Sequence, residues 1–125
     1  MFRMKWMGPP LAQFRYLAKL RRMNRVFKAL SDPTRRRVLE LLRERPMTAG
    51  ELADEFDLAR ATMSAHFAVL RESNLIYAEK RGTTITYRLR MSVLEEALLE
   101  FAGAFGLQLA PRRRVARARV VEGEA

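Results

Sequence analysis

The sequence predicts a mainly α-helical domain with a small β-hairpin wing, a winged helix-turn-helix in the order α-α-α-α-β-β-α. Three observations carry that expectation. Apolar residues recur at helical spacing through residues 26–70 and again through 94–105. Two of the helical stretches are joined by only Asp57-Leu58-Ala59, the tight connection of a helix-turn-helix unit. Directly after it the period changes to rough alternation in two β-branched and aromatic runs separated by a turn.

Taken in order, Gly8-Pro9-Pro10 breaks the first segment, and LAQFRYLAKLRR then sets Leu11, Phe14, Leu17 and Ala18 at helical spacing among cations. Residues 1–22 therefore read as a basic extension carrying a helix over 11–22. Three uses suit it: an added dimer helix, a DNA-contacting arm, or sequence lying upstream of a start at Met23. The domain proper is expected over 23–106. It opens with a short helix whose apolar face is Val26, Phe27 and Leu30. Asp32 is placed as an N-cap and Pro33 at the first helical position of the next helix. There Val38, Leu41 and Leu42 should face inward, leaving Arg35, Arg36 and Arg37 to solvent.

Thr48 with Glu51 three residues later matches a capping box. The helix it starts should bury Leu52, Ala53 and Phe56. The following helix begins near Arg60 and buries Met63, Phe67 and Leu70. Residues 75–80 and 84–89 form the wing strands, with Arg81-Gly82-Thr83 between them. Ser92 is expected to cap a last helix with Leu94, Ala97, Leu98, Phe101 and Phe105 on its apolar side. A basic, flexible tail is expected over 107–125.

Composition narrows the function. The 125 residues suit one domain with a modest core, and nearly half are apolar. There is no cysteine, which removes disulfide and thiolate chemistry and fits a cytoplasmic setting. No stretch approaches the roughly 18 apolar residues of a membrane span, and the basic N-terminus lacks the apolar core of a secretory signal. The net charge of +10 lies mainly at the two ends. Residues 1–22 carry six Lys/Arg and no acid, and 111–125 carry five Arg against two Glu, whereas 23–110 hold 13 basic and 12 acidic residues. Such arms attract polyanions without reading sequence, and they also serve as plain solvated tails.

His66 is the one histidine. A nucleophilic mechanism needs a Ser or Cys partner and a third orienting group, and Ser64 lies two residues away on the same helix. Zinc asks for three or four ligands. The acidic pairs Glu95-Glu96 and Asp54-Glu55 are adjacent on helices and diverge. No catalytic residue, metal or other cofactor is expected, and the chain is not read as an enzyme. His66 falls at the edge of the apolar stripe, so partial packing with a hydrogen bond is the plainer reading, and phosphate or base contact is the other.

The rest of that helix points to DNA. Arg60, Ala61, Thr62, Ser64 and Ala65 make a face of short side chains with one arginine at the N-terminal end. Small residues permit close approach in a major groove, and a single guanidinium fork suits guanine O6/N7. The helix N-terminus favours a phosphate. In the wing, the cations Lys80, Arg81 and Arg88, with the hydroxyls of Thr83 and Thr84, are expected at the phosphate backbone or in the minor groove.

FKALSDPTRRRVLELL (27–42), MTAGELADEFDLARATMSAHFAVLRESNLI (47–76) and EKRGTTITYRL (79–89) together resemble the ArsR family of winged helix-turn-helix repressors, in its cysteine-free, autorepressor-like branch. The resemblance covers about residues 23–106. It implies a homodimer formed by the first and last helices and bound to an imperfect palindrome in promoter DNA. By position it places Arg60, Thr62, Ser64 and Ala65 at the reading face with His66 beside them, and residues 80–84 at the wing tip. Val26, Phe27, Leu94, Leu98, Phe101 and Phe105 are expected at the dimer interface.

Metal-sensing members carry a Cys-x-Cys pair on the helix that here reads TAGELADEF, or His and carboxylate ligands on the last helix, which here contains no histidine. Metal-triggered release is therefore not expected. A protein partner, a small ligand between dimer helices, or protein level alone would relieve repression. Two rivals use the same residues differently. One is a winged-helix module for protein–protein contacts with sequence-blind polyanion-binding arms. The other is a membrane-surface protein anchored through FRMKWM and LAQFRYLAKLRR.

Overall fold

The computed structural model describes residues 11–109. The expected extension 1–22 and tail 107–125 thus lie partly outside the described residues. The chain forms α1 (Leu11–Leu30), α2 (Pro33–Glu44), β1 (Met47–Thr48), α3 (Ala49–Ala53), α4 (Arg60–Glu72), β2 (Ile76–Arg81), β3 (Thr84–Leu89) and α5 (Met91–Ala104).

One continuous 20-residue helix replaces the two expected before residue 31. LAQFRYLAKLRRMNRVFKAL contains neither Gly nor Pro, so nothing local stops the helix at Met23. Asp32 does cap α2. Its side chain accepts from the Arg35 N–H at 3.1 Å, with Pro33 in the first turn. Leu39, rather than Leu41, joins Val38 and Leu42 in the core, while Leu41 is half-buried.

The capping box at α3 is complete: the Glu51 N–H reaches Thr48 Oγ1 at 3.1 Å and the Thr48 N–H reaches Glu51 Oε1 at 2.9 Å. The helix is shorter than expected, and half-buried Phe56 lies beyond its end. Before it, Met47 and Thr48 form a third strand that the sequence reading missed. They pair antiparallel with Tyr87 and Thr86, giving the sheet order β1-β3-β2.

The hairpin is tighter than expected. Arg81 pairs with Thr84, leaving only Gly82 and Thr83 as the loop. Gly82 has φ 61°, a left-handed position at the first loop residue that suits a II′-type hairpin. Both long helices near the wing end in Schellman motifs. After α4, Asn74 takes φ 63°, with Leu75 N–H on the Leu70 carbonyl and Asn74 N–H on that of Arg71. After α5, Gly106 takes φ 73°, with Leu107 N–H on Ala102 and Gly106 N–H on Gly103.

Ser92 is not the cap of α5. The Arg90 N–H is held by the Leu75 carbonyl at 2.8 Å, and the helix starts at Met91, two residues earlier than a Ser92 cap would place it.

Val26 and Ala29 of α1, Val38, Leu39 and Leu42 of α2, Met47, Leu52, Met63, Phe67, Leu70, Leu75, Ile76, Tyr87 and Ala97 form one core. Burying each large apolar side chain contributes roughly 1.5–3 kcal/mol. Phe67 of α4 lies against Tyr87 of β3, with ring centroids 4.9 Å apart. That contact ties the second helix of the helix-turn-helix to the base of the wing.

Candidate nucleic-acid interface

Helix α4 turns Met63, Phe67 and Leu70 into the core. With 3.6 residues per turn, that leaves Ala61, Thr62, Ser64 and Ala65 outward, and all four are exposed together with Arg60. No acid stands in the first turn, and Ala59 at the N-cap offers no side-chain acceptor. The first N–H groups of α4 therefore keep their attraction for an anion. On the wing, Lys80, Arg81, Thr83 and Thr84 are all exposed. Arg88 behaves differently, because its Nε lies 2.5 Å from Glu79 Oε1 on the neighbouring strand.

His66 sits on the flank between the two faces of α4, its side chain 15% exposed. Its Nδ1 lies 3.1 Å from Arg35 Nη1. A guanidinium only donates, so Nδ1 accepts and the ring carries its proton on Nε2. Asp32 Oδ2 is 3.9 Å from the same nitrogen, too far for a hydrogen bond. The plainer of the two sequence readings, partial packing with a hydrogen bond, describes this geometry. Asp32 is partly desolvated, which raises its pKa. The N–H bonds of Arg35 and Thr34 and the charge of Arg35 outweigh that and leave the carboxyl below its ordinary value.

Arg35 itself corrects the expectation that it faces solvent. Besides His66, its Nε donates to the Ala29 carbonyl at 2.8 Å and its Nη2 to that of Lys28 at 2.9 Å. Arg36 Nη1 donates to the Leu30 carbonyl at 2.7 Å. Three successive carbonyls at the end of α1 are thus satisfied by two guanidinium groups, cations where the helix dipole is negative. Arg36 and Arg37 both remain exposed as expected, and Arg37 pairs with Glu40 at 3.1 Å. No short-range pattern reveals the fold-back, since Arg35 reaches carbonyls six and seven residues upstream across a turn.

The residues expected at a dimer interface divide. Val26 is 2% exposed and belongs to the protomer's own core, so it has no surface to offer a partner. Leu94 and Phe27 are half-buried. Phe27 stacks on Phe101, which stacks on Phe105, with centroids 4.9 and 5.1 Å apart. Leu98, Phe101 and Phe105 are exposed at 37%, 43% and 68%. Sequence reasoning missed the further exposed Tyr16 of α1, Leu99 of α5, and Leu107 and Leu109 beyond it.

Among the described residues no three His, Cys, Asp or Glu side chains gather as metal ligands. None of the described helices is long and apolar enough to cross a membrane.

Comparison with known proteins agrees with this geometry. A helix-turn-helix domain family matches residues 30–76. The transcriptional repressor SdpR of Bacillus subtilis is 41% identical over 76 residues, which are 61% of this chain and 84% of that protein. A crystal structure described as an ArsR family transcriptional regulator superposes with a TM-score of 0.60 at 33% identity, covering 71% of this chain and 95% of the other. An ArsR-like transcriptional regulator from Rhodococcus superposes with a TM-score of 0.62 at 26% identity, covering 86% and 96%. With the small open face of α4, the basic wing beside it and these likenesses together, the chain belongs to the ArsR family of winged helix-turn-helix proteins, which are DNA-binding transcriptional regulators and not enzymes.

Proposed function

We propose that the chain is a cytoplasmic, homodimeric transcriptional repressor that reads a palindromic promoter site through residues 23–106. The observation that carries this reading is the outward face of α4: short, exposed and free of acid in its first turn. Arg60 would reach a base edge, with Ala61, Thr62, Ser64 and Ala65 permitting close approach. Lys80, Arg81, Thr83 and Thr84 of the wing would hold phosphates.

The exposed apolar side of α5, Leu98, Phe101 and Phe105, would bury against a second copy, joined by Phe27 and Leu94 at its margin. A two-fold axis there would present two α4 helices about 34–36 Å apart, one turn of DNA. The first three turns of α1 prolong the same helix, and their exposed Leu11, Phe14 and Leu17 would extend that interface. The repressive sense follows the SdpR protein, which its name describes as a transcriptional repressor. Release would come from a protein partner or a small ligand.

Selection of bound duplexes from a random pool, followed by a salt titration, tests this. The expected result is a palindrome bound far more tightly than its scrambled counterpart at every salt concentration. Equal binding to both, lost together as salt rises, would overturn the reading in favour of sequence-blind charge attraction and a protein-contact module.

A further inference from the structure

We propose that Arg35 is a positioning residue for DNA reading, holding α4 to the end of α1 through His66. Its three donor arms divide between two elements. Nε and Nη2 hold the Ala29 and Lys28 carbonyls, and Nη1 holds His66 Nδ1 on the flank of the reading helix. Nη2 also lies 3.5 Å from Ser31 Oγ in the connection to α2.

A planar fork fixes direction as well as distance, so the three bonds together restrict rotation of α4 about its own axis relative to α1. A lysine keeps the charge but cannot span both elements with one rigid group. His66 stands next to Ala65 and two residues from Ser64, so a small roll of the helix displaces the whole face offered to DNA. The inference rests on α4 being the DNA-reading helix. It adds that His66 works inward, through Arg35, rather than by touching DNA.

The test uses the full chain, a duplex selected by the unmodified protein, and a scrambled duplex. Four variants are compared: Arg35→Lys, His66→Leu, the double variant, and His66→Asn, whose amide oxygen can stand where Nδ1 accepts. Arg35→Lys and His66→Leu should each reduce the preference for the selected duplex about ten-fold, with binding to the scrambled duplex changed less than about two-fold. The double variant should be no worse than the poorer single one, the signature of two residues acting as a unit. His66→Asn should stay within about two-fold of the parent.

A second readout needs no DNA. With a single histidine in the chain, its imidazole nitrogen signals are unambiguous. They should show an unprotonated Nδ1 in the parent and a mixture of tautomers in Arg35→Lys. Additive losses, or a His66→Asn variant as impaired as His66→Leu, would overturn the proposal, the latter by showing direct contact with DNA. Equal losses on both duplexes, tracking a lowered melting temperature, would reduce Arg35 to a structural role and overturn it as well. If Arg35→Lys fails to fold, the His66 pair decides alone. A parent chain that prefers no duplex would overturn the DNA reading and the positioning role with it, while the tautomer would still report whether the Arg35–His66 bond exists.

Discussion

The outward faces of α4 and α5 are both exposed, and they are built from opposite materials. On α4 the face is Ala61, Thr62, Ser64 and Ala65 with Arg60 at its end: small, hydroxylated, and comfortable in water. On α5 it is Leu98, Leu99, Phe101 and Phe105, large apolar groups for which water is a poor neighbour. A helix face intended only to be soluble has no need of two phenylalanines. A face intended to pack against protein has little use for a run of alanine, serine and threonine. The difference suits two kinds of partner, and it supports the proposal of a wet polyanion against α4 and an apolar surface against α5.

Charging the α5 face should have the largest effect. In the proposed dimer, Leu98→Asp with Phe105→Asp would bury carboxylates across the two-fold axis, weakening self-association at least about 100-fold. Sedimentation should then find monomer, and palindrome binding should collapse. A variant that remains dimeric would remove α5 from the interface. On the other face, Arg60→Ala should cost on the order of 1–3 kcal/mol on the selected duplex and leave the dimer mass unchanged. The same loss on scrambled DNA would limit Arg60 to phosphate.

The wing cations should matter less. Lys80→Ala and Arg81→Ala should each weaken binding uniformly across sequences and lower the salt slope by about 1. Away from both faces, Thr48→Ala removes half of the capping box and should destabilise the fold by about 1 kcal/mol, read as a lower melting temperature with DNA preference retained.

The smallest effect is acidic. The Thr48 N–H bond and, after partial desolvation is overcome, Arg45 hold the Glu51 carboxyl below its ordinary value, and Asp32 is lowered as described. A depressed folded-state pKa gives stability that is complete above the ordinary carboxylate range and lost as pH falls through it. Urea midpoints should therefore drop modestly from neutral pH to about pH 3, and Glu51→Gln should flatten that dependence.

What could be read in advance were the features written within four or five neighbouring residues. Asp32-Pro33, Thr48 with Glu51, the 63/67/70 stripe and the Gly82 turn all act locally, and each appears where its spacing places it. What could not be read depends on distant chain. Met47 and Thr48 are too few to show a period and become a strand only because Tyr87 and Thr86 arrive beside them. Arg35 and Arg36 look like surface cations until the turn at residues 31–32 brings the last carbonyls of α1 within their reach. The start of α5 moved for the same reason, since a backbone hydrogen bond to Leu75, just before β2, holds Arg90 at the N-cap instead of the better capper Ser92. The small, exposed face of α4 was legible in its residue types. The Arg35 bonds beside it were not.

The two-residue tip of the wing has a consequence for how this regulator can change its grip. Two strands of six residues in fixed register run about 20 Å, from Ile76 and Leu89 at the core to exposed Arg81 and Thr84 at the tip. The base is clamped by β1, while the far end carries nothing that the core requires. Adding one residue to a strand would invert every side chain beyond it, but adding a matched pair to each strand would lengthen the arm by about 7 Å and preserve its facing. The hairpin is thus an adjustable ruler: its length could drift in even steps, carrying Lys80 and Arg81 farther from α4, while the core that displays α4 stays as it is.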